Sequence, residues 1–479
     1  MGSPDKVQVL EKCRVAPPKG SISSTSLPLT FLDLPWLVIA PVDRLFFYEF
    51  EHSKAHFMNT ILPNIKHSLS LTLQQYYPLA GNLTWSQEST KPEILYTIGD
   101  SVSLTVAECD RDFYNLTGNH ARDANEFHPL VPTFAQVNSS EKLVPAMALQ
   151  VTLFPYKGIC IGIKMNHVVA DGRTSNHFMK SWATLCRLEG DHTSVATESF
   201  VPLYDRSIVK DPKEIEKTLL NDMAKLNITS DTFKFSAVAF VSDKSDNVQA
   251  TFVIGQSDVK KLKEWISTRL RNEEGILPQL HLSTFVLACA YVWVCLIKAE
   301  WVSNDDVVKV SEDQKEQFAF AVDGRSQLNP PVPITYFGNC LGYCLVKSNR
   351  KALLQDDGIA IAAELIAKGI QKIRNPDELW TLVANFYCRN PSVPRLDPDC
   401  TITVAGSPKL NVYETDFGWG KPKKVEVISI RGSGAISLTE YPHEEGALEI
   451  GLVRTKKKMD AFSSLFINNL KSLPSGSGN

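Results

Sequence analysis

Several features are missing from this 479-residue chain, and each absence removes a class of function. No uninterrupted apolar run reaches the ~18 residues that a bilayer-crossing helix needs, so no membrane span is expected. The start, Met1-Gly2-Ser3-Pro4-Asp5-Lys6, puts no apolar core behind a basic stretch. It also lacks the Ser or Thr that would make Met1-Gly2 a myristoylation signal, so neither leader nor lipid is expected. The 10 Cys are scattered, with Cys340 and Cys344 the nearest pair. There is no CxxC and no His/Cys group at zinc spacing, which points to reduced, mostly buried thiols, no metal, and a cytoplasmic setting. Sequons such as Asn82-Leu83-Thr84 and Asn115-Leu116-Thr117 carry no weight without a secretory route. Charge of one sign is also lacking. Lys and Arg number 50 against 53 Asp and Glu, a net of −3, so no field draws the chain to nucleic acid or to an anionic membrane. The short basic runs Lys421 to Lys424 and Lys456 to Lys458 read as solvated faces. Nothing repeats, and only the Ser475-Gly476-Ser477-Gly478 tail is of low complexity.

What remains is an ordinary globular balance, 43% apolar and 22% charged, in a chain long enough for two domains of roughly 200 residues each. Strand and helix patterns alternate throughout, which gives the α/β class. Val7 to Val15 reads as a strand ended by Pro17-Pro18. Ser53 to Tyr76 has helical spacing, with Pro63 starting or bending a second piece. Ile94 to Val106 alternates about Gly99-Asp100 and reads as a hairpin. A clearer hairpin spans Leu149 to Met165 about Tyr156-Lys157-Gly158, and its second strand runs into Asn166-His167. A helix over about Thr174 to Leu188 follows. The pattern weakens from Pro202 to Ser236, which places a crossover linker at 206–236 between an N-terminal domain, 1–205, and a C-terminal domain, 237–479. In the latter, Asp258 to Arg271 and Ser283 to Lys298 read as helices. Val248 to Ile254, Phe318 to Asp323, Gly342 to Val346, Ile402 to Ala405, Lys424 to Ile430 and Leu448 to Leu452 read as strands. Met459 to Leu473 closes the chain as a helix.

Three motifs carry what chemistry there is. His167-Val168-Val169-Ala170-Asp171-Gly172 sits where a buried strand meets a turn. A His there is held on rigid backbone and titrates near neutrality, so it can take a proton from an alcohol. The same pattern also suits a satisfied core His followed by a helix-capping Asp. Asp416-Phe417-Gly418-Trp419-Gly420 is an aromatic-anchored turn whose only ionisable group is Asp416, and it reads as structural. Tyr336-Phe337-Gly338-Asn339-Cys340, after Asp323-Gly324-Arg325, reads in isolation as a packed loop.

Taken together, these motifs resemble the BAHD acyltransferase family of plants over nearly the whole chain. His167 to Gly172 matches HxxxDG, Asp416 to Gly420 matches DFGWG, and their order and separation agree. Tyr77-Pro78-Leu79-Ala80-Gly81 looks like YPLAG. Tyr336 to Cys340 matches YFGNC, the mark of the clade that acylates anthocyanin and other flavonoid glycosides. Leu27 to Thr30 and Ser407 to Leu410 are similar to that clade as well.

The resemblance implies two chloramphenicol-acetyltransferase-like domains of mixed sheets with flanking helices and a channel between them. It implies a monomer that binds no cofactor and uses an acyl-CoA as co-substrate. His167 would be the general base in direct transfer of an acyl group to a hydroxyl, with no acyl-enzyme. Asp171 would turn away from the channel and pair with an Arg, for which Arg325 is the best placed, with Gly172 beside it. Asp416, Gly418 and Trp419 would be structural supports. Ser407 would face the oxyanion. Ser283 and Thr284, with Lys261 and Lys409, would face the CoA arm and its phosphates, an N-cap being the other reading of Ser283-Thr284. Trp36, Phe47 and Tyr48 would line the acceptor side. The clade implies malonyl-CoA as donor, with Arg173 as the cation for its carboxylate, and the sugar 6-hydroxyl of a flavonoid or phenolic glucoside as acceptor. The alternatives are a hydroxycinnamoyl-CoA donor with an apolar slot, or a non-glycoside acceptor.

Overall fold

The computed structural model describes residues 7–134, 143–189, 201–211, 213–232, 246–271, 279–303, 314–388, 396–397 and 400–474. Met1 to Lys6, the boundary at 236/237 and the Ser475–Gly478 tail lie outside the described residues.

The hairpin that leads to His167 organises the N-terminal half. Met147–Phe154 and Gly158–Met165 pair antiparallel about Tyr156, whose φ is +59°. Every residue of both strands is buried, so this is a central ribbon covered on two faces rather than one with a wet side. Ile159, Ile161, Ile163 and Met165 enter the main core, while Cys160 joins a second cluster below. Gly162 lies on that lower face, where a Cβ would stand 2.4 Å from the carbonyl oxygen of Leu130; only glycine permits this approach. The sheet runs in the order Val7–Val15, Val102–Cys109, Met147–Phe154, Gly158–Met165, Val42–Glu49 and Lys424–Val427.

The second sheet has seven strands, ordered Leu341–Asn349, Lys315–Asp323, Thr401–Ala405, Ile436–Glu440, Leu448–Thr455, Asn247–Ile254 and Arg122–Asp123. The two sheets thus exchange strands. Lys424–Val427 leaves the C-terminal half to pair with Val42–Glu49, and Arg122–Asp123 leaves the N-terminal half to pair with Asn247–Ile254. A buried knot marks the crossing, where Glu426 accepts from Arg122 at 2.8 Å and from Gln249 at 2.6 Å. Paired in this way, the two opposite charges can be kept in the interior. A small sheet of Thr25–Pro28, Glu93–Tyr96, Asn82–Thr84 and Val144–Pro145 flanks the N-terminal half.

Two readings of the sequence change. The stretch around Gly99-Asp100 is no hairpin, because Glu93–Tyr96 belongs to the small sheet while Val102–Cys109 pairs with Val7–Val15. Alternation shows that each segment is extended, but it does not choose the partner. The helix Thr284–Ser303 is longer than its apolar run suggested. Its mean hydropathy of 1.8 makes it long and apolar enough to cross a membrane, yet 72% of that window is buried inside the protein. It packs between Gly358–Lys372 and Lys456–Ser472, and a helix apolar all round is what a core position requires. The crossover segment holds the helix Ile215–Lys225, where the sequence pattern was weak.

Val42–Glu49 is nearly continuously buried, and its odd and even residues divide between the clusters. Phe46 and Tyr48 enter the main core; Leu45 and Phe47 enter the lower cluster. Phe47, 0% exposed, packs edge-on to Phe113 at 6.0 Å on the far side of the sheet from the face continued by His167. The acceptor-lining role expected of Phe47 is therefore replaced by a core role. Phe47→Ala should lower unfolding free energy by about 3–5 kcal/mol through the cavity it leaves, measured by chemical denaturation. A loss below about 1 kcal/mol would mean that the site collapses around the gap.

Candidate functional site

The strand Gly158–Met165 delivers His167 into a turn, and the helix Gly172–Arg187 begins five residues later. Asp171 caps that helix, its Oδ1 accepting from Thr174 N at 2.9 Å. Its Oδ2 accepts from Arg325 Nη1 at 2.8 Å and from Cys340 N at 3.2 Å. Both side chains of the ion pair are almost wholly buried. Burial alone would push the Asp171 carboxyl up. The Arg325 charge and the hydrogen bonds outweigh that, and the net shift is downward. The capping reading and the ion-pair expectation for Asp171 and Arg325 therefore hold together in one geometry.

The YFGNC segment closes over the same turn. Asn339 Nδ2 donates to the carbonyl oxygens of His167 at 2.9 Å and Val168 at 3.2 Å. Asp33 accepts from Asn339 N at 2.9 Å and from Asn339 Nδ2 at 3.1 Å. Arg325 Nη2 donates to Tyr336 O at 3.3 Å, and Arg206 donates to Phe337 O at 2.8 Å. What read as a packed loop is the clasp that fixes the backbone of His167. Asp33 and Arg206 carried no motif of their own, and only the contacts reveal them.

The His167 ring is stacked on Trp36, with centroids 3.7 Å apart and planes 7° from parallel. Trp36 leans in turn on Tyr343 at 5.7 Å. Trp36 thus stands beside the His, and its indole Nε1 is buried with no hydrogen-bond partner. His167 Nδ1 is likewise buried and unpartnered, which leaves Nε2 as the nitrogen that can meet a substrate. The residue keeps partial access to solvent. Even so, desolvation dominates and lowers its pKa to about 4, so at neutral pH the ring is uncharged and able to accept a proton.

The other expected residues fall into place less evenly. Gly172 lies against Leu410, whose Cδ1 would be 3.2 Å from an added Cβ. Asn176 also donates to the Leu410 carbonyl, so the turn after Ser407 is tied to the motif helix. Ser407 Oγ accepts from Lys409 N at 3.3 Å, which leaves its hydroxyl proton free to donate. Ser283 Oγ receives Val286 N at 3.4 Å, capping the apolar helix that Thr284 begins. Lys261 is half-buried and Lys409 is exposed. Tyr48 does not line an acceptor pocket: its hydroxyl donates to Thr415 O at 3.0 Å, and its ring meets Phe417 and Trp419 edge-on. Arg173 is not a free cation, since its Nε donates to Asp323 Oδ2 at 2.7 Å and the two side chains are 27% and 33% exposed.

The DFGWG turn is tied together by its own acid and aromatic rings. Asp416 Oδ1 accepts from Gly418 N at 2.8 Å and Gly420 N at 3.0 Å, and both glycines have positive φ, +101° and +93°. Phe417 packs edge-on to Trp182 of the motif helix, and Trp419 stacks on Phe417. Cys340, near Asp171, has its thiol pushed up by burial, which makes it a poor nucleophile. All ten Cys are free, seven of them buried, and the described residues hold no group of metal ligands.

Comparison with known proteins follows the same outline. The family profile described as "Transferase family" matches residues 5–468. The chain is 40% identical to phenolic glucoside malonyltransferase 1 of Nicotiana tabacum, covering 97% of this chain and 99% of that one. It is 38% identical to the malonyl-coenzyme A:anthocyanin 3-O-glucoside-6''-O-malonyltransferase of Dahlia pinnata, covering 97% of each. It is 34% identical to coumaroyl-CoA:anthocyanidin 3-O-glucoside-6''-O-coumaroyltransferase 1 of Arabidopsis thaliana, again over 97% of each. Among solved structures, vinorine synthase superposes with a TM-score of 0.68 at 19% identity over 98% of both chains, a likeness of fold.

Asp171→Ala should cost about 3–5 kcal/mol, because it strands the buried Arg325 charge. The pair contributes stability at neutral pH. With the folded pKa of Asp171 below its ordinary 3.8, that contribution persists as pH falls to this value and is lost as pH drops through the lower folded pKa. Thermal unfolding of the two proteins across pH measures this. Coincident melting curves at pH 7 would show that the pair does not hold the halves together.

Proposed function

This chain belongs to the transferase family that its motifs resemble, the BAHD acyltransferases, and from that premise we propose that it moves malonyl from malonyl-CoA to the sugar 6-hydroxyl of a phenolic or flavonoid glucoside. The observation that carries the reading is the imidazole of His167. It is uncharged at neutral pH, stacked on Trp36, and clasped at its carbonyl by Asn339 of YFGNC. The donor and acceptor rest on the relatives in Nicotiana and Dahlia, whose names specify malonyl transfer to phenolic and anthocyanin glucosides.

In this mechanism, the sugar hydroxyl approaches Nε2, and its proton passes to the ring as the oxygen attacks the thioester carbonyl. The carbonyl oxygen takes up negative charge, and Ser407, whose hydroxyl proton is uncommitted, is the donor proposed for it. The tetrahedral intermediate collapses, the C–S bond breaks, and the departing sulfur leaves as the CoA thiol with the proton that His167 held. The ring is neutral again, and no acyl-enzyme forms. Trp36 fixes the plane of the imidazole, and its unpartnered indole N–H is available to a substrate oxygen. Ser283, Thr284, Lys261 and Lys409 remain the proposed CoA-arm residues. The chain would act as a cytoplasmic monomer with domains meeting near 206–236.

Purified protein, a phenolic glucoside and malonyl-CoA, followed by free-thiol release and product mass, test the reading. A mass gain of one malonyl is expected. A gain only with coumaroyl-CoA, or none with any glucoside, would overturn the donor or the acceptor. His167→Ala should reduce turnover by about 10²- to 10⁴-fold, the range for a lost general base; equal turnover would remove His167 from the mechanism. Because the active form is the neutral ring, kcat/KM should stay level as pH falls from 7 to 5 and decline only near pH 4, following the lowered pKa of about 4. An acidic limb centred near 6.5 would show a solvated imidazole instead.

A further inference from the structure

Among the described residues, one buried charge on the sheet that leads to His167 has no ion-pair partner. Arg44 lies on Val42–Glu49 opposite Ile163 of the strand that leads to His167. It alternates with Asp43 and Leu45, so it shares the face of Phe46 and Tyr48, which meets Ile163 and Met165 in the main core. The residue is 7% exposed, and its Nε is buried with no hydrogen-bond partner. Among the described residues no carboxylate lies within ion-pair distance of it. The other deeply buried arginines differ: Arg122 has Glu426, Arg325 has Asp171, and Arg350 has Glu316. The neighbouring Asp43 is spent on Lys164 at 2.6 Å.

Glu440 is the acid whose charge Arg44 feels, yet it does not close the gap. Its Oε1 accepts from Tyr413 N at 2.8 Å, and its Oε2 is also buried and unpartnered. The Arg44 charge reaches His167, where it opposes protonation of the ring. A buried guanidinium whose acid stands beyond ion-pair distance is costly to the free protein. A ligand that brings a carboxylate offsets that cost, and its two oxygens match the planar fork of an arginine.

We propose that Arg44 is the specificity-determining residue that receives the free carboxylate of the donor acyl group, so that the channel prefers a malonyl to an acetyl thioester. The proposal rests on the malonyl-CoA reading above. It replaces Arg173, whose guanidinium is already paired with Asp323 and partly hydrated. In a malonyl thioester the carboxylate is one methylene from the carbonyl under attack, so its cation has to come from the neighbourhood of His167. Arg44 is opposite Ile163, four residues before His167 on the paired strand, on the sheet face whose residues enter the main core. A malonyl carboxylate held there is bound equally before and during transfer, which places the effect mainly in the apparent affinity for the donor.

The test compares wild type, Arg44→Met and Arg44→Lys with malonyl-CoA and with acetyl-CoA at saturating phenolic glucoside. Arg44→Met should lower kcat/KM for malonyl-CoA by about 10- to 150-fold, the worth of a charged hydrogen-bonded contact, chiefly through KM. Acetyl transfer should change by less than about threefold. Arg44→Lys should fall between the two. Removing an unpaired buried charge should also leave the melting temperature of the free enzyme level or raise it, which separates loss of recognition from loss of fold. Equal losses for both donors, or an unchanged malonyl rate, would overturn the assignment of Arg44 while leaving the malonyl reading intact. Should Arg44→Met fail to fold, an unchanged malonyl-to-acetyl ratio in Arg44→Lys would overturn it. A wild type that transfers coumaroyl but no malonyl would overturn both.

Discussion

The buried contact between Asp171 and Arg325 joins the two halves at the point where the chemistry sits. Asp171 ends the strand-and-turn that carries His167 and caps the helix behind it, while Arg325 comes from the C-terminal half. Arg325 also donates to the backbone of the YFGNC segment, and Asn339 of that segment donates to the backbone of His167. The position of His167 is therefore set by one closed set of hydrogen bonds that begins and ends on a single ion pair. Such a pair adds little net stability when intact, but removing either member leaves a charge the interior cannot solvate. This asymmetry makes it above all a fixing point, while most of the fold stability comes from the two-sided burial of the central hairpin and the apolar helix Thr284–Ser303.

The electrostatics around His167 follow from the same burial. Desolvation keeps His167 neutral, and the nearby Arg44 adds to that effect. Trp36 contributes a flat apolar wall and an unpartnered donor. The thiol of Cys340 is pushed up, out of the range of a nucleophile. A neutral imidazole beside a thiol held protonated suits the direct transfer proposed above better than attack by a cysteine.

Away from the site, the halves are interlocked by exchange. Lys424–Val427 lies in the N-terminal sheet, and the DFGWG turn just before it is anchored on Tyr48 and on Trp182 of the motif helix. Its conspicuous aromatic residues serve to hold the exchanged segment.

Sequence by itself determined the α/β class, the hairpin into His167, the HxxxDG turn and the family, because each depends on local spacing or on motifs contiguous in the chain. It also supplied Arg325 as the partner of Asp171, through resemblance. Only the tertiary structure decided which strands pair, that Phe47 faces the core, that Tyr48 braces the DFGWG turn, that Arg173 is bound by Asp323 and that Arg44 has no ion pair among the described residues. The reason is physical. Whether a side chain is buried, and whether its charge is already answered, depends on residues far away in sequence: Phe113 for Phe47, Thr415 for Tyr48, and residue 323 for Arg173. Local pattern shows what a residue can do, and the distant contacts decide what remains for it to do.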